Sequence, residues 1–173
     1  MGALLDVIIP GSPQGYQRPG VRVVKTREGR TFAQHYEQAA TRSWRSVAVG
    51  VLTTSEGAPR ARVEADPVRV IVEAIAPRPA SVLKRLGRGR LWRTSKPDVD
   101  NVCKSVLDSL TTAGVLRDDV LVAELVARSI VAADGEPAHV RVVVEILDPL
   151  PLIPWPEKPR GKKSVGPGPL LNL

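Results

Sequence analysis

The chain has 173 residues, 43% hydrophobic but only 3% aromatic, enough for one core of ordinary size resting on Val, Leu, Ile and Ala. Its formal net charge of +7 draws it toward polyanions, nucleic acid foremost, and argues against a small-metabolite enzyme. So few aromatics also argue against a single-strand binder that stacks successive bases.

A single cysteine, Cys103, excludes an intramolecular disulfide and a cysteine-based zinc site. The opening from Met1 to Pro10 is too short and wrongly flanked for a secretory signal. No apolar run approaches the roughly 20 residues of a membrane span, so a cytoplasmic setting without membrane contact is expected.

Leu4 to Ile9 reads as a strand stopped by Pro10-Gly11. Ser12 to Arg30 is rich in Gly, Pro and base and reads as an exposed loop or loose hairpin. From Phe32 to about Thr53, Tyr36, Ala39, Ala40, Trp44, Val47 and Val51 fall at helical spacing and predict a helix. Val68 to Ala76 alternates as a strand with one partly exposed face, ended by Pro77 and Pro79. A basic segment follows, with Lys84, Arg85, Arg88, Arg90, Arg93 and Lys96 interrupted by Gly87 and Gly89. Its first part suits a short helix, and its glycines suggest a mobile loop.

Val99 to Thr112 is the clearest helix. Val99, Val102, Cys103, Val106, Leu107 and Leu110 make an apolar stripe, Pro97 precedes it, and Gly114 is placed to end it. Leu121 to Val131 and Val140 to Leu147 read as strands, with Ala132 to Ala138 a candidate hairpin link between them. Beyond Asp148, prolines alternate with Lys and Arg, which predicts a domain over 1–148 and a flexible or surface-pinned basic tail over 149–173. The fold class expected is α+β: a small mixed sheet of about four strands packed with two main helices.

The chemistry gathers around that clearest helix. Asp100, Lys104 and Asp108 lie four residues apart on the ridge opposite the apolar stripe, and Asp98 sits at its N-terminal end. Arg117-Asp118-Asp119 leads into the next strand, and a tight return would bring Asp119 back near the helix start. Carboxylates brought together resist ionising together, and a hard divalent cation relieves that repulsion. Such a cation polarises a phosphodiester, and a neighbouring lysine stabilises the charge that develops on it. The plainer reading has equal standing on spacing alone: Asp98 and Asp100 as caps, Lys104 in a solvated pair, Asp118-Asp119 as an ordinary turn.

Lys96-Pro97-Asp98-Val99-Asp100-Asn101-Val102-Cys103-Lys104, then Leu107-Asp108-Ser109-Leu110, Gly114-Val115 and Asp118-Asp119, resembles the signature of the RusA-like Holliday junction resolvases. The opening Ile9-Pro10-Gly11-Ser12-Pro13-Gln14-Gly15 with Arg18-Pro19 is similar to that family's first strand and loop. The likeness runs from about Leu4 to Leu147. One departure stands out: Tyr16-Gln17 occupies the place where many relatives carry Lys-Gly.

This resemblance implies a homodimeric endonuclease that cuts four-way DNA junctions symmetrically and needs Mg2+, with Mn2+ as a substitute. It maps the catalytic acids and metal ligands onto Asp98, Asp100 and Asp119 and the essential lysine onto Lys104. Asp108 and Asp118 take supporting roles, Asp118 ranking below Asp119 because neighbours in a strand face opposite ways. Candidate DNA contacts are Arg18, Arg22, Lys84, Arg85, Arg88, Arg90, Arg93 and Lys96. Trp92 reads as a packing residue, with stacking on opened DNA as the alternative. Two rival functions remain open: a nuclease of broader branched-DNA specificity, and a non-catalytic basic DNA-binding protein.

Overall fold

A computed structural model describes residues 3–17, 20–36, 38–54, 62–81 and 87–150. The tail prediction over 149–173 therefore falls almost wholly outside the described residues. At the centre lies a five-stranded mixed sheet in the order β1-β7-β4-β6-β5, made of β1 (Leu5–Pro10), β4 (Val68–Ala76), β5 (Leu91–Trp92), β6 (Val122–Val131) and β7 (His139–Ile146). A separate hairpin pairs β2 (Gly20–Lys25) with β3 (Thr31–Tyr36). Two long helices, α1 (Ala39–Thr54) and α2 (Val99–Thr112), pack on the sheet. The architecture is α+β, as predicted. The fifth strand is a two-residue edge that no periodicity marks.

Two local readings are corrected. The helix expected from Phe32 begins at Ala39, because Thr31 to Tyr36 pair residue for residue with Gly20 to Lys25. Gly29, at φ +82°, lets the hairpin turn, closed by the Thr26 amide on the Arg30 carbonyl at 2.9 Å. Nor do β6 and β7 form a hairpin. β4 lies between them, parallel to β6 and antiparallel to β7.

The sheet's two faces divide the chemistry. Val68, Val70, Val72 and Ala74 of β4 are fully buried and share one core with Val102, Val106 and Leu110 of α2 and Trp44, Ala48 and Leu52 of α1. Each Val or Leu among them contributes about 1.5–3 kcal/mol by leaving water. The other face is a cross-strand ladder of ions. Glu73 on β4 meets Arg128 of β6 at 2.6 Å and Arg141 of β7 at 3.5 Å, and Arg141 reaches Asp6 of β1 at 2.7 Å. Arg69 joins Glu124 and Glu145 at 2.8 and 3.1 Å. Helices cover one face and charges solvate the other, which fixes α2 with its apolar stripe inward and its acidic ridge toward solvent.

Candidate active site

α2 rises from a turn that other residues hold in shape. The Arg93 guanidinium donates to the Lys96 carbonyl and to that of Pro97 (3.3 Å), folding Arg93 to Pro97 onto itself just before the helix. Burial lowers the Arg93 pKa from its ordinary value, while the charge of nearby Asp98 works the other way. Asp98 occupies the N-cap position in extended conformation, yet its carboxylate accepts no capping hydrogen bond. This weakens the reading of Asp98 as a mere cap. At the far end, Gly114 (φ +74°) turns the chain out of the helix, and the Val115 amide returns to the Leu110 carbonyl at 3.0 Å.

Along the ridge, Asp98, Asp100 and Lys104 are exposed and Asp108 is half-buried. Beneath them Cys103 is buried. Loss of water, with Asp100's charge adding, pushes its thiol up to about 11. That thiol is neutral and inert at physiological pH.

Docked against the first turns is the loop that follows β1. The Tyr16 amide donates to the Asn101 carbonyl at 2.8 Å. The Tyr16 ring lies under the Lys104 ammonium, 4.1 Å from Nζ to the ring centre. Gly15 permits this approach: a Cβ there would sit 2.8 Å from Pro97 Cβ and 3.2 Å from Asn101 Cβ. Gln14, Tyr16, Lys96, Asp98 and Asn101 thus line one cleft of about 430 Å³. Sequence reasoning noticed Tyr16 only as a departure from relatives. No spacing rule links positions 16 and 104, so the sequence carries no signal for this contact.

Asp119 is placed elsewhere. It opens a single 3-10 turn (Asp119–Leu121) and shares a second cleft, of about 230 Å³, with Asp118, Asp108, Thr112 and Arg45. That cleft belongs to the C-terminal half of α2. Asp108 is eight residues from Asp100, about 12 Å along the axis. The neighbours that this cleft gives Asp119 are Asp108, Thr112 and Arg45, and a small pocket lined by Tyr16, Arg45 and Asp108 lies between it and the first cleft. Asp118 is a capping residue: the Val120 amide donates to its Oδ1 at 3.0 Å and holds its carboxyl below the usual range, with Asp119 and Arg117 adding to the effect. Among the described residues, no group of three or more Asp, Glu, His or Cys stands close enough to hold a metal ion.

The candidate DNA contacts divide in the same way. Arg18, Lys84 and Arg85 lie outside the described residues. Arg22 is on the free-standing hairpin, its Nε on Gln34 at 2.8 Å, and Lys96 is exposed at the first cleft. Arg88 is exposed, 3.6 Å from Asp134. Arg90 is engaged with Glu136, and Arg93 with backbone carbonyls. Trp92, expected to pack, is 75% exposed. No helix among the described residues is long and apolar enough to cross a membrane.

Residues 10–146, most of the chain, match the family model described as "Endodeoxyribonuclease RusA". No curated protein matches the sequence.

Proposed function

We propose that the chain, which belongs to the RusA endodeoxyribonuclease family, acts as a cytoplasmic homodimer that resolves four-way DNA junctions by paired symmetric hydrolysis in recombination and repair. Family membership makes it an enzyme that cuts DNA internally. The observation that carries the finer reading is the exposed ridge of α2. On it, Asp100 stands about one turn before Lys104 and Asp98, unused as a cap, somewhat under two turns before it. The catalytic unit is residues 1–148, with 149–173 a basic appendage.

Oxygen donors of this kind suit magnesium, or manganese in its place, and such a cation supplies Lewis acidity beside a phosphate. The donors fit in kind, with Asp98 and Asp100 at the start of α2 and Asp119 in a cleft with Asp108. A homodimer would bring two copies of this site to one junction, one for each strand that is cut.

The chain's own part in the reaction is electrostatic. Lys104, held by the Tyr16 ring, places a fixed positive charge at the ridge, where negative charge grows on the phosphate. Exposed Lys96, Arg88 and Arg22 draw the DNA backbone toward it.

The test uses Asp100→Asn and Asp119→Asn on labelled junctions with magnesium. Each variant alone loses cleavage and keeps junction affinity, because removing a negative charge does not weaken attraction for phosphate. Mixing the two and allowing subunits to exchange restores nicking of one strand only where a site draws on both copies, and leaves both strands uncut where each site lies within one copy. A folded Asp119→Asn variant that cuts normally would remove Asp119 from the site.

A further inference from the structure

The short edge strand β5 is held more firmly than two residues require. Arg78 Nη1 donates to the carbonyls of Gly89 (2.7 Å) and Ala132 (2.8 Å), and its Nη2 to that of Gly87. Arg90 forks onto Glu136, with Nε on Oε2 at 3.0 Å. Next along the chain, the Arg93 amide pairs with the Ser129 carbonyl at 3.0 Å and its guanidinium closes the turn that leads into Asp98. What this scaffold presents is an indole, that of Trp92, 75% exposed. An indole held in water on a firmly tied strand, beside a mainly apolar cleft, is a surface able to take a flat partner.

Beside the indole is a cleft of about 330 Å³ lined by Leu91, Ile130, Trp92 and Arg90. Its walls are mainly apolar with one guanidinium, which suits a flat, polarisable, neutral ring. The surroundings select the partner. Exposed Arg88 and Lys96 flank the strand, and the acidic ridge begins six residues after Trp92. A ring delivered to a basic rim next to a phosphodiester-cutting site is a nucleobase attached to its own backbone.

Resting on the junction-resolving reading above, we propose that Trp92 is a stacking platform for a nucleobase left unpaired at the branch point. The β5 edge then contributes preference for branched over linear DNA. Stacking is tolerant of sequence, so this preference is for structure and not for bases.

The test is binding by the full chain without divalent metal. The probes are a synthetic four-way junction carrying 2-aminopurine at its branch point and a linear duplex of the same strands. Trp92→Ala is expected to weaken junction binding by about 5- to 100-fold while duplex binding changes by less than about twofold, and Trp92→Phe to stay within about threefold of the parent. At saturation the 2-aminopurine emission should be quenched by the parent protein and brighter with Trp92→Ala. Because the side chain is exposed, folding should be unaffected, which a melting curve checks. Equal loss on junction and duplex, or no loss on either, overturns the proposal and leaves the junction reading standing. Trp92→Ala changing the oligomeric state overturns it in favour of a contact between copies. A parent protein that binds junction and duplex alike overturns this proposal and the junction reading together.

Discussion

Replacing Gly15 by alanine probes the contact that joins the β1 loop to the acidic ridge. The added Cβ would lie 2.8 Å from Pro97 Cβ and 3.2 Å from Asn101 Cβ, and neither is the end of a flexible side chain. Holding the loop down against that overlap costs about 1–3 kcal/mol. Lifting it breaks the Tyr16 amide bond to the Asn101 carbonyl, about 0.5–1.5 kcal/mol, and the Tyr16–Lys104 contact, about 0.5–2 kcal/mol. The two costs are comparable, so the loop shifts and Lys104 loses its fixed position. At about 2–4 °C per kcal/mol for a chain of this length, Gly15→Ala should melt about 2–12 °C lower. Junction cleavage at saturating DNA should fall by about 2- to 30-fold, the rate equivalent of the lost lysine contact. Tyr16→Phe, which keeps the ring, should retain cleavage within about twofold. Thermal denaturation followed by circular dichroism, with single-turnover cleavage, measures both. A Gly15→Ala protein with unchanged melting and unchanged cleavage would refute the close approach of this loop to α2.

Three further outcomes follow from the same coordinates. Gly50 lies inside α1 with open space where a Cβ would go, so Gly50→Ala should stabilise by about 0.5–1 kcal/mol, the opposite sign to Gly15→Ala, as denaturant unfolding would show. Arg128's hydrogen bond is the main cause holding the Glu73 carboxyl below its ordinary value, so the unfolded chain binds the proton first. Stability from this pair is present above about pH 4.3 and is lost as pH falls through the lower folded value; Glu73→Gln should flatten that slope in acid melts. Cys103, buried and with its thiol pushed up to about 11, should resist iodoacetamide at pH 8 and react at the rate of a free thiol in denaturant.

What the residues disclosed in advance was whatever depends on local pattern. The stripe from Val99 to Leu110 has one helical reading, and Gly114 ends it as its freedom at positive φ demands. Val68 to Ala76 alternates so regularly that its strand is secure, yet alternation does not say which strands flank it. β4's insertion between β6 and β7 is a long-range choice, made by burying Val70 and Val72 under α2 while Glu73 meets Arg128 and Arg141. The β3 strand was hidden because Tyr36, Ala39 and Ala40 continue smoothly into helical spacing, and pairing with Gly20 to Lys25 overrode that signal. The exposure of Asp100 and Lys104 on α2, with Asp98 at its N-cap, was legible because helical spacing places them opposite the apolar stripe. The Tyr16 contact and the cleft that Asp119 shares with Arg45 join residues far apart in the chain, which no local pattern marks.

The central claim is that the ridge carboxylates of α2 cut branched DNA with a divalent cation. Its most direct test is cleavage of an end-labelled synthetic four-way junction by the parent chain and by Asp100→Asn, each with and without magnesium. Paired nicks placed symmetrically across the branch point, made only with metal and only by the parent, are the predicted result. Junction binding without cutting by the parent chain, under magnesium and manganese alike, would contradict it and return Asp98 and Asp100 to the part of helix-end charges on a DNA-binding protein.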